Sequence, residues 1–116
     1  MLEISKDLVA ASSAPLVLSV LSKGESYGYE IIRNIKETSN NRLQLAEGTL
    51  YPILKKMEQA GWIKAKWKTS DNGRERKYYK LTATGKKQLE AEKNNWESVN
   101  QILQNLWKEN FNLNMQ

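Results

Sequence analysis

The spacing of apolar residues predicts helices over the first part of the chain. Residues 8–21 carry apolar side chains near a 3.6-residue period, which predicts a mostly buried helix. Pro15 should kink this helix or restart it, with Ser12 or Ser13 as the cap of the second part. A second amphipathic helix is predicted over 27–37. The chain is therefore expected to begin with two helices.

A third helix has the clearest pattern, because its apolar residues lie at i, i+3, i+4 and i+7. They are Leu50, Ile53, Leu54 and Met57. We place its start near Gly48, where Pro52 disturbs the backbone hydrogen bonds least, and its glycine cap at Gly61. Upstream, Ser26 is predicted to cap the second helix, and the alternating stretch 43–45 could pair as one brief strand.

A β-hairpin follows, because the apolar period changes to two after Gly61. Residues 63–68 alternate between apolar residues and lysine, and residues 69–73 form the turn. The return strand, 76–81, places Tyr79 and Leu81 on one face, with its basic residues mostly on the other face or at the tip. These two side chains are expected to join the core.

The last predicted element is a long helix over about 83–110, which Thr82 can cap. Residues 111–116 are expected to be a frayed tail. The fold class is then mostly α with a small β-hairpin, with one domain expected over residues 1–82 and the long helix over 83–110 following it.

Two absent residue types narrow the chemistry. The 116 residues include no Cys and no His, which excludes a zinc site of the usual type, a disulfide, a thiol nucleophile and an imidazole base. Paired carboxylates, a phosphate-binding glycine loop and a nucleophile elbow are also missing. We expect no enzyme activity, no cofactor and no metal site.

The chain is expected to be one cytoplasmic domain. Its longest uncharged run, 8–22, is 15 residues long and is interrupted by polar residues and a proline. This run is too short to span a bilayer, and the acidic start of the chain does not resemble a secretion signal. No membrane association is therefore expected.

Positive charge is concentrated in one segment. Residues 55–87 contain eleven basic and three acidic residues, whereas the rest of the chain has a net charge of −3. A lysine-rich surface can simply keep a protein soluble. Such an uneven distribution is also typical of a protein that binds a polyanion.

Three helices followed by a basic hairpin form the order of a winged helix-turn-helix. In this arrangement the third helix enters the major groove of DNA, and the hairpin, or wing, reaches neighbouring backbone or minor groove. The outer face of the third helix supplies hydroxyl and ammonium groups for such contacts. The residues expected to contact DNA from this helix and from the hairpin tip are Thr49, Tyr51, Lys55, Lys56, Asn72, Gly73, Arg74, Arg76 and Lys77.

Two sequence strings resemble the PadR family of transcriptional regulators. They are Gly-Thr-Leu-Tyr-Pro-Ile-Leu-Lys-Lys-Met-Glu-Gln-Ala-Gly-Trp-Ile at 48–63 and Arg-Lys-Tyr-Tyr-Lys-Leu-Thr-Ala-Thr-Gly at 76–85, and Tyr-Gly-Tyr-Glu-Ile at 27–31 agrees with them. The resemblance covers 8 to about 107. It implies a dimeric winged-helix repressor that binds an inverted-repeat operator. Tyr27 and Gly28 would then contact phosphate, as donors at a helix N-terminus can.

The last helix looks like the single dimerisation helix of the compact branch of that family. Its apolar residues follow a heptad pattern, and a domain of this size cannot bury so long a stripe by itself. The residues expected at a homodimer interface are Leu89, Trp96, Val99, Ile102, Leu103, Leu106 and Trp107.

Trp96 has two interpretations. Some members of the compact branch hold flat aromatic molecules between tryptophans that face each other across the dimer axis, and Trp96 lies at the matching place. An aromatic effector could therefore stack on Trp96. The alternative, which we favour, is that Trp96 packs in the dimer interface. Trp62, Trp67 and Trp107 are expected to be core or interface residues.

One other function remains as an alternative. The same fold could serve as a protein- or RNA-interaction module without operator recognition. A single-strand binder would need exposed aromatic residues on the hairpin, and the aromatic residues of this hairpin are expected inside.

Overall fold

The computed structural model describes residues 4–115, and side chains over 4–108. Within the described residues, the chain forms four helices and three strands. The helices are α1 (Lys6–Leu21), α2 (Gly28–Thr38), α3 (Glu47–Gln59) and α4 (Ala83–Met115), and the strands are β1 (Ser26–Tyr27), β2 (Ile63–Thr69) and β3 (Glu75–Leu81). The strands form one antiparallel sheet in the order β1-β3-β2. This architecture confirms the predicted helical fold with a small β-hairpin.

Helix α1 runs through Pro15 without the predicted restart. Its N-cap is Ser5, whose hydroxyl accepts a hydrogen bond from the N–H of Leu8. The hydroxyls of Ser12 and Ser13 donate to carbonyl oxygens one turn earlier in the same helix, instead of capping a new one. Pro15 cannot donate a backbone hydrogen bond inside the helix. The residues that follow it pack into the core, and this burial offsets the missing hydrogen bond.

Strand β1 is formed by Ser26 and Tyr27, which replaces two predictions. Ser26 is not the N-cap of α2, because it pairs with Tyr79 of β3 and its hydroxyl donates to Glu30 at 2.7 Å. Tyr27 is the N-cap residue. The stretch 43–45 is not a strand, and both of its leucines are buried in the core. Their alternation reflects a loop that passes over the core.

Helix α3 agrees with its prediction and begins one residue before Gly48. Leu50, Leu54 and Met57 are buried against α2 and the sheet. Gly61 ends the helix with φ +81°, and the N–H of Trp62 donates to the carbonyl of Met57. This glycine cap ends α3 and turns the chain toward β2.

Helix α4 begins against the connection between α3 and β2. The Thr82 hydroxyl accepts from the N–H of Gly85 at 3.0 Å, as an N-cap does, and donates to the carbonyl of Gly61 at 2.6 Å. Tyr79 and Leu81 are buried as predicted. The first turns of α4 therefore complete the core of the winged helix.

Two residues lie elsewhere than predicted. Leu89 is 4% exposed and belongs to the core of its own chain, because the start of α4 packs on α1. Trp67 is 63% exposed, because β2 extends past the last residue that the helices cover. Of the two predicted positions for Trp67, core or interface, the core position is therefore wrong.

Beyond this core, α4 projects from the domain and gives the molecule its dimensions of 66 × 33 × 21 Å. All described side chains from 93 to 108 are exposed. The helix continues to Met115 instead of ending near Asn110, and the side chains of the predicted frayed tail, 111–116, lie outside the described residues. Within 4–115, no helix has both the length and the apolar composition that a membrane span requires.

Candidate nucleic-acid interface

The outer face of α3 is exposed to solvent. Thr49, Lys55 and Lys56 are exposed, while the opposite face of the same helix fills the core. Tyr51 is also exposed, but its ring lies across the start of α2. The face therefore presents one hydroxyl and two ammonium groups on a rigid helix.

Tyr51 is held by its contact with Gly28. A Cβ atom at Gly28 would lie 2.5 Å from the Tyr51 hydroxyl oxygen, so the lack of a side chain at Gly28 makes room for the tyrosine. Gly28 is buried at the first position of α2. The two residues, both predicted to contact DNA, therefore pack against each other and connect α2 to α3.

The wing tip is built by its own hydrogen bonds. Gly73 has φ +81°, and its N–H donates to the carbonyl of Ser70 at 2.9 Å. Asn72 accepts through Oδ1 from the N–H of Arg74 at 3.2 Å. Asn72 and Gly73 therefore shape the turn, and the Arg74 side chain is exposed at its end.

An aromatic stack attaches the wing to the start of α2. The Arg76 guanidinium lies 4.4 Å from the centre of the Tyr27 ring, and that ring meets Tyr78 edge to face at 5.3 Å. Lys68 continues the stack over Tyr78 and pairs with Glu25. Arg76 is half-buried in this position, so part of its role is to hold the wing.

Lys77 connects the wing to α3. Its Nζ lies 3.3 Å from Oε1 of Glu58, on the face of the hairpin that turns toward the helices. Partial burial lowers the pKa of Lys77, but the neighbouring Tyr79 and Glu58 together raise it by more, so its pKa lies above the ordinary value of a lysine. Burial also raises the pKa of Tyr79, with Lys77 opposing the shift. Lys77 is thus charged and paired, while Tyr79 is neutral near pH 7.

These elements enclose an open cleft of about 790 Å³ between α2, α3 and the wing. Six predicted residues line it, namely Tyr27, Gly28, Tyr51, Arg74, Arg76 and Lys77, whereas Thr49, Lys55, Lys56, Asn72 and Gly73 lie outside its lining. Sequence reasoning missed Tyr29, Arg33 and Trp67, which also line the cleft. A Tyr-x-x-x-Arg spacing that places both residues on one helix face was an available signal for the first two.

The predicted interface residues of α4 form an unpartnered apolar stripe in the single chain. Trp96, Val99, Ile102, Leu103, Leu106 and Trp107 are all more than a third exposed. Leu89 is absent from this stripe because it lies nearer the start of the helix, where it is buried in the core. The exposed part thus begins near Trp96.

The chain matches the model of the transcriptional regulator PadR-like family over residues 17–91. Among curated proteins, it is 34% identical over 73 residues to the negative transcriptional regulator PadR of Bacillus subtilis. The aligned region covers 63% of this chain and 40% of that relative. The match is therefore confined to less than half of that longer protein.

Solved structures agree along most of the chain. A PadR-like transcriptional regulator from Bacillus cereus has a TM-score of 0.76 at 31% identity and covers 87% of this chain and 96% of that one. A PadR family transcription regulator from Clostridium difficile has a TM-score of 0.72 at 37% identity, with 82% and 97% of the two chains covered. The fold is thus shared with proteins of similar length.

Proposed function

Since the chain belongs to the PadR-like family of transcriptional regulators, we propose that it is a homodimeric repressor that binds an inverted-repeat operator in double-stranded DNA. The single observation that carries this proposal is the exposed cationic surface of α3 and the wing. Thr49, Lys55 and Lys56 would contact the major groove, because an α-helix fits there. Arg74 would reach the adjacent minor groove or its phosphates.

The dimer is proposed because the exposed part of α4 has no support within its own chain. A single helix of this length is only marginally stable in water unless its apolar face is covered. A second copy would cover the stripe that begins at Trp96, and would place two winged helices in a symmetric pair. Two winged helices related by two-fold symmetry require an operator with the same symmetry.

Repression would follow from occupancy of the operator. The Bacillus subtilis relative is described as a negative regulator, which supports the same direction of control for this chain. Bound protein would exclude other proteins from the same stretch of DNA.

The salt dependence of binding tests the proposal. Preferred duplexes are selected from a random pool, and the affinity of the wild-type protein is measured at several salt concentrations. If each protomer neutralises about four to six phosphates, the log-log slope for the dimer should be about −7 to −11. A slope near zero, or no preference among duplexes, would contradict operator binding and favour a protein- or RNA-interaction module.

Single lysine variants locate the surface. Lys55→Ala should weaken binding and reduce the magnitude of the slope by about 1 per protomer. Lys93→Ala serves as the matched control, because Lys93 is exposed on α4 away from the winged helix. Equal effects of the two substitutions would contradict the assignment of α3.

For Trp96 we propose packing in the dimer interface, with stacking of a planar aromatic effector as the alternative. Titration with planar aromatic compounds, followed by tryptophan fluorescence, separates the two. Quenching that disappears in Trp96→Ala while DNA binding persists would favour the effector, and would allow release of the repressor by a ligand. Dissociation of the dimer in Trp96→Ala without any quenching in the wild type would favour packing.

A further inference from the structure

The exposed aromatic residues of the winged helix are gathered in one place. Within residues 4–82, four large apolar side chains are exposed, and three of them line the cleft between α2, α3 and the wing. They are Tyr29, Tyr51 and Trp67, with exposed fractions of 57%, 46% and 63%. A large apolar side chain that remains exposed beside basic residues is typical of a contact surface.

We propose that Trp67 contacts DNA directly, and that this cleft holds the sugar-phosphate backbone of one strand of the duplex. The faces of Trp67 and Tyr29 would pack on deoxyribose, and the neighbouring arginines would bind phosphate. This inference rests on the proposed function, and it adds a contact that the basic residues alone do not provide.

The position of the cleft between two groove-reading elements supports this occupant. Helix α3 would lie in the major groove, and the wing tip would reach the adjacent minor groove. The strand that separates these two grooves must then pass between α3 and the wing. The cleft occupies that position, and Trp67 forms its wall on the wing.

The chemistry of the lining fits a sugar-phosphate chain. Arg33 lies 5.7 Å from the centre of the Tyr29 ring, so that a cation stands next to an aromatic face on α2. Arg74 supplies a second cation from the wing. Basic residues exceed the two acids, Glu47 and Glu75, in this cleft. A lining with both cationic and aromatic groups can contact both the phosphates and the sugars of a DNA backbone.

The variant Trp67→Ala tests the proposal against the operator chosen by selection. We expect affinity to fall about tenfold, as for removal of a buried aromatic anchor. The salt slope and the ranking of sequences should not change, because no charge and no base contact is lost. Leu8→Ala is the matched control, since Leu8 is an exposed apolar residue outside the cleft, and it should bind as the wild type does.

Tryptophan fluorescence gives a second readout that does not depend on affinity. DNA binding should change the emission of the wild type. Trp67→Phe should remove most of that change, whereas Trp62→Phe, at a residue half-buried against the core, should keep it. Unchanged melting temperatures of the Trp67 variants would show that the wing remains folded, as expected for a side chain with few contacts of its own.

Three results would overturn the inference. The first is an affinity of Trp67→Ala for the duplex within twofold of the wild type. The second is a fluorescence change that persists in Trp67→Phe. The third is a loss of affinity in Trp67→Ala that is seen only with single-stranded oligonucleotides. In each case the proposed function stands if the wild type still binds the duplex with a steep salt slope. A wild type without salt-dependent binding would overturn both.

Discussion

At the scale of single residues, two glycines decide how the helices approach each other. A Cβ atom at Gly85 would overlap the carbonyl oxygen of Trp62, which belongs to the backbone and cannot rotate away. At Gly28 the obstacle is the Tyr51 ring, which can move. Gly85 therefore allows α4 to pack closely on the backbone at Trp62, whereas Gly28 makes room for the Tyr51 ring.

Substitution of Gly85 should destabilise the fold. We expect Gly85→Ala to lower the free energy of unfolding by about 1 to 3 kcal/mol, because α4 must shift away from the α3–β2 connection. Urea denaturation measures this change. Gly48→Ala is the control, since no atom lies within 4 Å of a Cβ there, and it should raise stability by about 0.5 to 1 kcal/mol. Similar losses in both variants would argue against the close contact as the cause.

Substitution of Gly28 should act through Tyr51. Gly28→Ala is expected to displace the tyrosine ring and to cost less stability than Gly85→Ala, about 0.5 to 1.5 kcal/mol, because the ring can rotate away. The double variant Gly28→Ala with Tyr51→Leu should lose less than the sum of the two single changes, because the clash is gone. Additive losses in a double-mutant cycle would mean that the two residues are not coupled.

At the scale of elements, the wing is a hairpin fastened on both sides. The Arg76–Tyr27–Tyr78 stack holds it to the start of α2, and the Lys77–Glu58 pair holds it to α3. These contacts set the distance between the wing and the helix expected in the major groove. Several basic residues of the hairpin are therefore shared between folding and binding.

The Glu58–Lys77 pair should show itself in the pH dependence of stability. The pKa of Lys77 is raised in the folded state, so its contribution is complete below pH 10.5 and is lost as pH rises through the higher folded value. Glu58→Gln should cost about 0.3 to 1 kcal/mol at pH 7, because water screens a lysine that is more than a third exposed. The difference from the wild type should shrink at alkaline pH, as measured by thermal unfolding.

The control for this pair is Lys77→Met, in which Glu58→Gln should have no further effect. A constant difference between Glu58→Gln and the wild type from pH 7 to pH 11 would contradict the assigned pairing.

Glu75 should weaken DNA binding. It lies at the start of β3 and lines the cleft that we assign to the phosphate backbone. Glu75→Gln removes a negative charge there and should increase affinity several-fold at low salt, with a smaller gain at high salt. Filter binding at two salt concentrations measures this, and Glu90→Gln on α4 is the control. Lower affinity in Glu75→Gln would show that the cleft does not face phosphate.

At the scale of the whole molecule, α4 has two parts with different roles. Its start completes the core through Leu89, and its remainder projects with an uncovered apolar stripe. The helix spans about 50 Å, so one continuous element would connect the DNA-binding unit to the proposed dimer interface.

A charge in the stripe should separate the protomers. Leu103→Asp is expected to give monomers in analytical ultracentrifugation, because an unpaired carboxylate cannot be buried between two helices. The salt slope of DNA binding should fall to about half, since one winged helix contacts half the phosphates. Gln101→Asp changes a residue on the side of α4 opposite the stripe and should leave the dimer intact. A dimer in Leu103→Asp would place the interface elsewhere.

The order of elements was predictable because helical and strand periods are local properties of the chain. Leu50, Leu54 and Met57 defined α3, and the change of period after Gly61 defined the hairpin. The candidate site was predictable to the extent that it follows this order, as with Lys55 and Arg74. Their roles in DNA binding stay predictions until the variants are measured.

Other residues could not be placed from the sequence, because their positions depend on distant neighbours. Ser26 has the side chain of a helix cap, yet Tyr79 lies close enough to draw it into a strand. Leu89 fits the heptad stripe, but α1 covers it first. Trp67 alternates with core residues and is exposed, since the helices end before they reach it.

By itself, the sequence determined which side chains share a face, where the four helices and the hairpin lie to within a few residues, and where positive charge concentrates. The tertiary structure alone decided which of those faces are buried by other elements. It also decided that the Tyr51 ring packs against Gly28, and that a cleft lined by aromatic residues opens between α2 and the wing. The physical reason is that periodicity follows from bonds along the chain, whereas burial follows from elements that meet only after the chain has folded.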